Sequence, residues 1–228
     1  MPSCLVCHSA FEPSHSWHDV LLLKEKNNLC YRCENSLAKI IGPICVICGR
    51  SMDEEMTCAD CLAWESSEKK GFLIKNRSVF HYNDHMKDIM NQFKFRGDIE
   101  VIQAFSSDFN GLYKKEFIKT DVIVPIPLSM ERLYERGFNQ AEAIASVLQR
   151  PLTNILLKSH QEKQSKKGKL HRLKEQNSFS IYGDSCIRGK HILLVDDIYT
   201  TGTTLRNCAA VLLSAGACSC SSLTLIRS

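Results

Sequence analysis

The sequence has no long apolar run: nothing in its 228 residues approaches the roughly 18 apolar positions that a membrane-spanning helix needs. Nor does a charged-then-apolar leader open it, so a cytoplasmic protein without membrane insertion is expected. No GxxxxGK[ST] loop occurs, which argues against a P-loop ATPase although an apolar run ends in paired acids at residues 196 and 197. Charge of one sign is not in excess either. The net charge is only +4, so any affinity for polyanions has to come from local clustering. One such cluster exists, with seven Lys or Arg between residues 158 and 174 against the single acid Glu162. What remains is a chain of one or two domains whose 44% hydrophobic content can fill a core.

Cysteine, by contrast, is abundant. Twelve cysteines would be unusual as disulfides in a reducing compartment, so their spacing decides their role. Eight fall in four CxxC pairs, Cys4/Cys7, Cys30/Cys33, Cys45/Cys48 and Cys58/Cys61. A CxxC turn presents two thiolates on one side of a bend, and two such knuckles complete the tetrahedral Cys4 shell that zinc prefers. Two structural Zn2+ sites follow. Sequential pairing is simplest, but interleaved knuckles would serve the metal equally well. CLVCH at residues 4–8 also fits a haem attachment site, four cysteines can hold an iron–sulfur cluster, and CxxC can be a redox pair. The three further pairs, and a Gly-poor, Lys-rich context without a strand-then-helix pattern, favour zinc over these. In so small a region the metal replaces a hydrophobic core. A nucleic-acid contact by the ribbon is the alternative, although residues 24–39 form no clear basic stripe.

Residues 63–75 mix Ser, Glu, Lys and Gly without period and read as a linker between a zinc-binding region, 1–65, and a second domain, 76–228. Beyond it, residues 78–82 alternate as a strand, and 85–93 put Met86, Ile89, Met90 and Phe93 on one helical face. DVIVPIP (121–127), HILLVDD (191–197) and 221–226 are apolar runs of the kind buried parallel strands show. Helical patterns at 139–149 and 203–215 lie between them, the latter closed by Gly216. Strands alternating with such helices predict an α/β fold with a parallel sheet.

Ligands of such sheets sit beyond the carboxyl ends of the strands. There Asp196 and Asp197 can accept hydrogen bonds from vicinal hydroxyls, and Thr200, Thr201, Gly202, Thr203 and Thr204 surround a helix start where backbone N–H groups favour phosphate. An ordinary capped helix needs one Ser, Thr or Asp, not this run.

The segment ILLVDDIYTTGTT (192–204) resembles the phosphoribosyl-diphosphate loop of type I phosphoribosyltransferases. The resemblance implies that Asp196 and Asp197, the catalytic pair, hold the ribose hydroxyls while residues 200–204 wrap the 5-phosphate. It implies Mg2+ bound with the diphosphate, and a pyrophosphate arm at Pro127 and Leu128 with Arg132 and Arg136, which could otherwise be a solvated helix face. It also implies a basic flap at 161–176, where a plain solvated loop is the other reading. Cysteine knuckles, FKFRGD (93–98), RGFNQA (136–141) and the loop, in that order, are similar to the ComF (ComFC) family of late competence proteins. The likeness implies DNA uptake in natural transformation, contact with single-stranded DNA, and a ComFA-like helicase and recombination proteins as partners. An active phosphoribosyltransferase with an unknown acceptor is the second reading. Where family flaps carry an Arg before the Asn, this chain has Gln176–Asn177. For DNA, clustered cations with interleaved aromatics are needed, which nominates Lys94, Arg96, Lys166, Lys167 and Lys169. Phe93 and Phe95 could instead pack in the core.

Overall fold

A computed structural model describes residues 1–12, 28–158, 178–182 and 187–228. Four parallel strands form its centre: β1 (Asn76–His81), β2 (Val122–Pro125), β5 (His191–Tyr199) and β6 (Ser219–Arg227), in the order β1-β6-β5-β2. A separate antiparallel pair is made by β3 (Leu156–Lys158) and β4 (Phe179–Ile181). Each expected run contains a strand, but β1 begins two residues earlier, β2 is shorter than 121–127, β5 runs two residues further to Tyr199, and β6 extends over 219–227. Both central strands are buried on both faces, which is why they read as continuous apolar runs rather than alternating ones.

The helices are α1 (Tyr31–Asn35), α2 (Ala59–Glu65), α3 (Asp84–Phe95), α4 (Ser106–Glu116), α5 (Met130–Arg136), α6 (Gln140–Ser146) and α7 (Thr203–Ser214), with a 3-10 turn at Ile99–Phe105. α3 starts where Asn83 accepts from the Met86 amide, and it buries Met86, Ile89, Met90 and Phe93, the face its periodicity predicts. These residues pack with Leu193, Val195 and Leu223 on one side of the sheet. α7 covers the other side with Leu205, Cys208, Ala209 and Leu212 against Ile192 and Leu194. No helix among the described residues is long and apolar enough to cross a membrane.

The cysteine region is built into this core. Cys4 and Cys33 belong to the first side, whereas Cys45, Cys48, Cys58 and Cys61 belong to the second, alongside Leu73 and Tyr199. The Cys45/Cys48 knuckle docks on β1 through buried Asn76, whose amide donates to Cys48 O at 3.1 Å and whose Oδ1 accepts from Ser222 at 2.8 Å. Gly49 lies so close that a β-carbon there would stand 2.9 Å from Asn76 O, and its φ of +71° suits glycine. Residues 63–75, read from composition as a linker, are in part the end of α2, and Trp64 and Lys69 reach across to Thr201 and Asn207. Exposed polar residues dominate the composition of the stretch, while a few positions, with Leu73 buried in the core among them, make its contacts.

A candidate ribose-phosphate pocket and two cysteine clusters

β2 and β5 pair up to Pro125 and Val195, and Ile126 N extends the ladder to Val195 O at 2.9 Å. Chain leaving β2 is thereby held beside the end of β5, where Asp196 and Asp197 emerge. α5 begins at once, with the Ser129 side chain accepting from Arg132 N at 3.4 Å, and sets Arg132 and Arg136 one turn apart. Asn139 caps α6 through Ala141 N at 3.0 Å, and its own amide donates to Ile126 O at 3.1 Å, tying the two segments together. A cavity of about 160 Å³ results, with Pro127, Leu128, Arg132 and Arg136 on one side and Asp196, Asp197 and Thr204 on the other. Lys94, Lys158, Asn139 and Gln140 complete it.

Four cations thus face two carboxylates. The Lys94 ammonium, from the last turn of α3, pairs with Asp197. Asp196 has no such partner among the described residues: burial, then the adjacent Asp197 charge, push its carboxyl well above the usual carboxylate range, although Lys94 and the Asp197 N–H at 2.9 Å oppose the shift. Arg136 is held by Gln140 Oε1 at 2.7 Å and lies 5.7 Å over the ring of Phe95. The surplus of positive charge suits an anion with several phosphates, and the two acids suit its hydroxyls.

Beyond β5 the loop turns on Gly202, at φ +79°, which is the N-cap of α7 and offers no side-chain cap. The Thr201 hydroxyl accepts from Thr203 N, at the start of α7, at 3.4 Å. Thr200, Thr201, Thr203 and Thr204 are exposed, and Thr201 and Thr203 bond each other at 2.9 Å. Under the loop, Arg206 is fully buried, donates to Tyr199 Oη at 2.8 Å and stacks on Trp64 at 4.7 Å, while Trp64 Nε1 donates to Thr201 O at 3.1 Å. Arg227 links the same assembly to the second cysteine cluster, donating to Tyr199 O at 3.2 Å and to Cys48 Sγ at 3.7 Å.

The clusters pair sequentially, Cys4/Cys7/Cys30/Cys33 and Cys45/Cys48/Cys58/Cys61, with all sulfurs of each within 4.8 Å of one another. A tetrahedral zinc with bonds of about 2.3 Å spaces its sulfurs about 3.8 Å apart, and Cys7–Cys30 and Cys48–Cys58 lie at 3.7 Å. The donor sets fit zinc. Cys48 is pulled down to about 4, first by the Cys61 thiol, against burial, with the Arg50 backbone N–H and Arg227 adding to it. A neighbouring guanidinium offsets the net negative charge a zinc tetrathiolate carries.

Of the residues expected from sequence, the structure gathers Asp196, Asp197, Thr204, Pro127, Leu128, Arg132 and Arg136 into one cavity and places Thr200, Thr201, Gly202 and Thr203 in the adjoining loop. Lys94, expected from sequence to contact nucleic acid, lines this cavity and pairs with Asp197. FKFR splits by helical geometry: Phe93 is fully buried, while Phe95 is 72% exposed and Arg96 is exposed beside it. Lys166, Lys167, Lys169 and the expected flap lie outside the described residues. Sequence reasoning did not assign Asn139, Gln140, Lys158, Trp64 or Arg206. The first two stand inside RGFNQA, whose concentration of polar side chains was the available signal, whereas nothing local marks Trp64 or Arg206.

A double zinc ribbon domain matches residues 2–62, and a phosphoribosyl transferase domain matches residues 101–228. The chain is 46% identical over 228 residues to competence protein ComFC of Bacillus subtilis (strain 168), covering 99% of this chain and 95% of that protein. It is 32% identical to competence protein ComFC of Streptococcus pneumoniae (strain ATCC BAA-255 / R6), across 98% of this chain and 99% of the other. DNA utilization protein YhgH of Escherichia coli (strain K12) is 28% identical across 83% and 92% respectively.

Proposed function

The chain belongs to the ComFC family of competence proteins, and from that premise we propose that it acts in natural transformation, binding phosphoribosyl diphosphate at the carboxyl end of its sheet and single-stranded DNA beside it. One observation carries the reading: two acids and four cations converge on a single cavity next to a loop of exposed hydroxyls. In this reading Asp196 and Asp197 take the ribose hydroxyls, residues 200–204 the 5-phosphate, and Arg132 and Arg136 the diphosphate. The oxygen donors of Asp196 and Asp197 fit the preference of Mg2+ for hard ligands, and the ion would neutralise diphosphate oxygens. Phe95, exposed beneath Arg136 and next to Arg96, supplies the aromatic and basic pairing on which an unpaired base can stack. DNA passing this mouth would meet the protein in the cytoplasm, with a ComFA-like helicase and recombination proteins as partners.

Calorimetry with Mg2+ and phosphoribosyl diphosphate tests the site. Each charge-assisted hydrogen bond is worth about 1.5–3 kcal/mol, so Asp196→Ala/Asp197→Ala should weaken binding by roughly two orders of magnitude. Unchanged affinity would overturn the assignment. Release of pyrophosphate with a nucleobase or nucleic acid as acceptor would favour the alternative, an active phosphoribosyltransferase. A single-stranded DNA affinity with no dependence on salt would remove the DNA part, since phosphate contacts give a slope of about −0.7 per contact.

A further inference from the structure

A second cavity, about 380 Å³ against 160 Å³ for the one above, opens at the opposite edge of the sheet, where β5 and β6 begin. His191 at its rim is five residues before Asp196, roughly 17 Å along an extended strand, and no residue lines both cavities. Buried Ile192 and Phe117 form the floor, and Ile118 stands 52% exposed beside them.

Three ammonium groups and one carboxylate line this cavity. Glu116 already serves Lys75, at 2.7 Å, and Arg77, at 3.6 Å, and Lys75 also lies 5.1 Å over the ring of Phe117. Lys115 and Lys119 are left exposed and form no ion pair among the described residues. Lys114 and Lys115 in the last turn of α4 offset the helix dipole, but Lys119 lies beyond the helix and has no such role. Facing them across the apolar floor are Ser219 and Ser221 with His191, whose Nδ1 is 2.8 Å from Ser219 Oγ. Two exposed cations, an apolar strip and a row of polar side chains match a ligand with a phosphate, a flat apolar ring and sugar hydroxyls.

We infer that the amino-terminal edge of the sheet holds a second anion site, a pocket for a nucleoside phosphate in which Lys115 and Lys119 take the phosphate and the exposed Ile118 takes the base. This inference stands apart from the ribose-phosphate reading, because the two cavities share no side chain. The nucleotide is either free or the end of a nucleic-acid strand, and both present the same phosphate and base.

The test is amide shift mapping on the zinc-loaded, nitrogen-15-labelled full chain, titrated with adenosine 5′-monophosphate, inorganic phosphate, adenosine and oligothymidylate. Adenosine monophosphate is expected to move the amides of residues 117–120, 191–192 and 219–221, and to do so more strongly than phosphate or adenosine alone. Movement of the same amides by the oligonucleotide identifies a strand end as the source, whereas movement by the mononucleotide alone identifies free nucleotide. Lys115→Glu/Lys119→Glu, at two exposed positions, should weaken this binding by about tenfold or more and leave the affinity for phosphoribosyl diphosphate unchanged. The inference is overturned if neither nucleotide probe moves these amides at millimolar concentration, if only residues 126–136 and 196–204 respond, or if the double variant binds as wild type.

Discussion

Gly202→Ala places a single methyl group where the loop, Tyr199 and Arg206 meet. A β-carbon at this position would fall inside the contact radius of Tyr199 Oη and of Arg206 Nη1. Both atoms end flexible side chains, yet neither can swing away freely: Tyr199 is 2% exposed, Arg206 is 0% exposed, and the two are bonded to each other at 2.8 Å. Arg206 is further clamped against Trp64. Making room means breaking a hydrogen bond to a charged group, about 1.5–3 kcal/mol. The φ of +79° adds the strain of alanine in the left-handed region, about 1–2 kcal/mol. The expected loss is about 2.5–5 kcal/mol, a large share of a total that is typically about 5–15 kcal/mol. Urea unfolding of zinc-loaded protein, followed by circular dichroism and by tryptophan emission, measures it. With a slope near 2–3 kcal/mol per molar, the midpoint should fall by roughly 1–2 M. Gly111→Ala is the control, because Gly111 lies within α4 with nothing within 4 Å of the added carbon; there the change should be neutral or stabilising by up to about 1 kcal/mol. A Gly202→Ala midpoint equal to that of the control would refute the packing described under the loop.

Three more outcomes are expected. Burial and Asp197 raise the folded-state pKa of Asp196, so the favourable contribution of its neutral form is complete below the unfolded value of about 3.9 and is lost as pH rises through the folded one. Asp196→Asn should therefore gain stability over wild type as pH increases, and a urea-midpoint difference that stays constant with pH would contradict this. Stripping metal from the second cluster should lower the melting temperature and reduce helical dichroism, since Cys45, Cys48, Cys58 and Cys61 share a core with Leu205 and Leu212; an unchanged melting curve would show the cluster to be peripheral. Lys94→Ala leaves Asp197 without its ion pair, so calorimetry should find Mg2+ alone binding more tightly and phosphoribosyl diphosphate more weakly; no change in either would exclude Lys94 from the site.

The sequence by itself determined what depends on short-range pattern. Apolar runs at 122–125 and 191–197 had to be strands buried on both faces, and a period of 3.6 set the inner face of α3, because a side chain's direction follows from backbone geometry alone. The eight ligands and the acid-and-hydroxyl loop were legible for the same reason, each being a local run of chemistry-bearing residues. Tertiary structure decided what depends on contacts between distant segments. Sequential and interleaved knuckles have identical spacing, and only folding onto opposite sides of the sheet separates the first four cysteines from the second four. The helical pitch of α3 sends Phe93 inward, Phe95 outward and Lys94 to Asp197, but that carboxylate lies about a hundred residues later in the chain. Trp64 meets Thr201 across 137 positions, and the basic cavity at the amino edge is assembled from the end of α4 and the starts of β5 and β6. No local pattern encodes such meetings, because parallel strands bring their ends together only after the crossovers between them have folded.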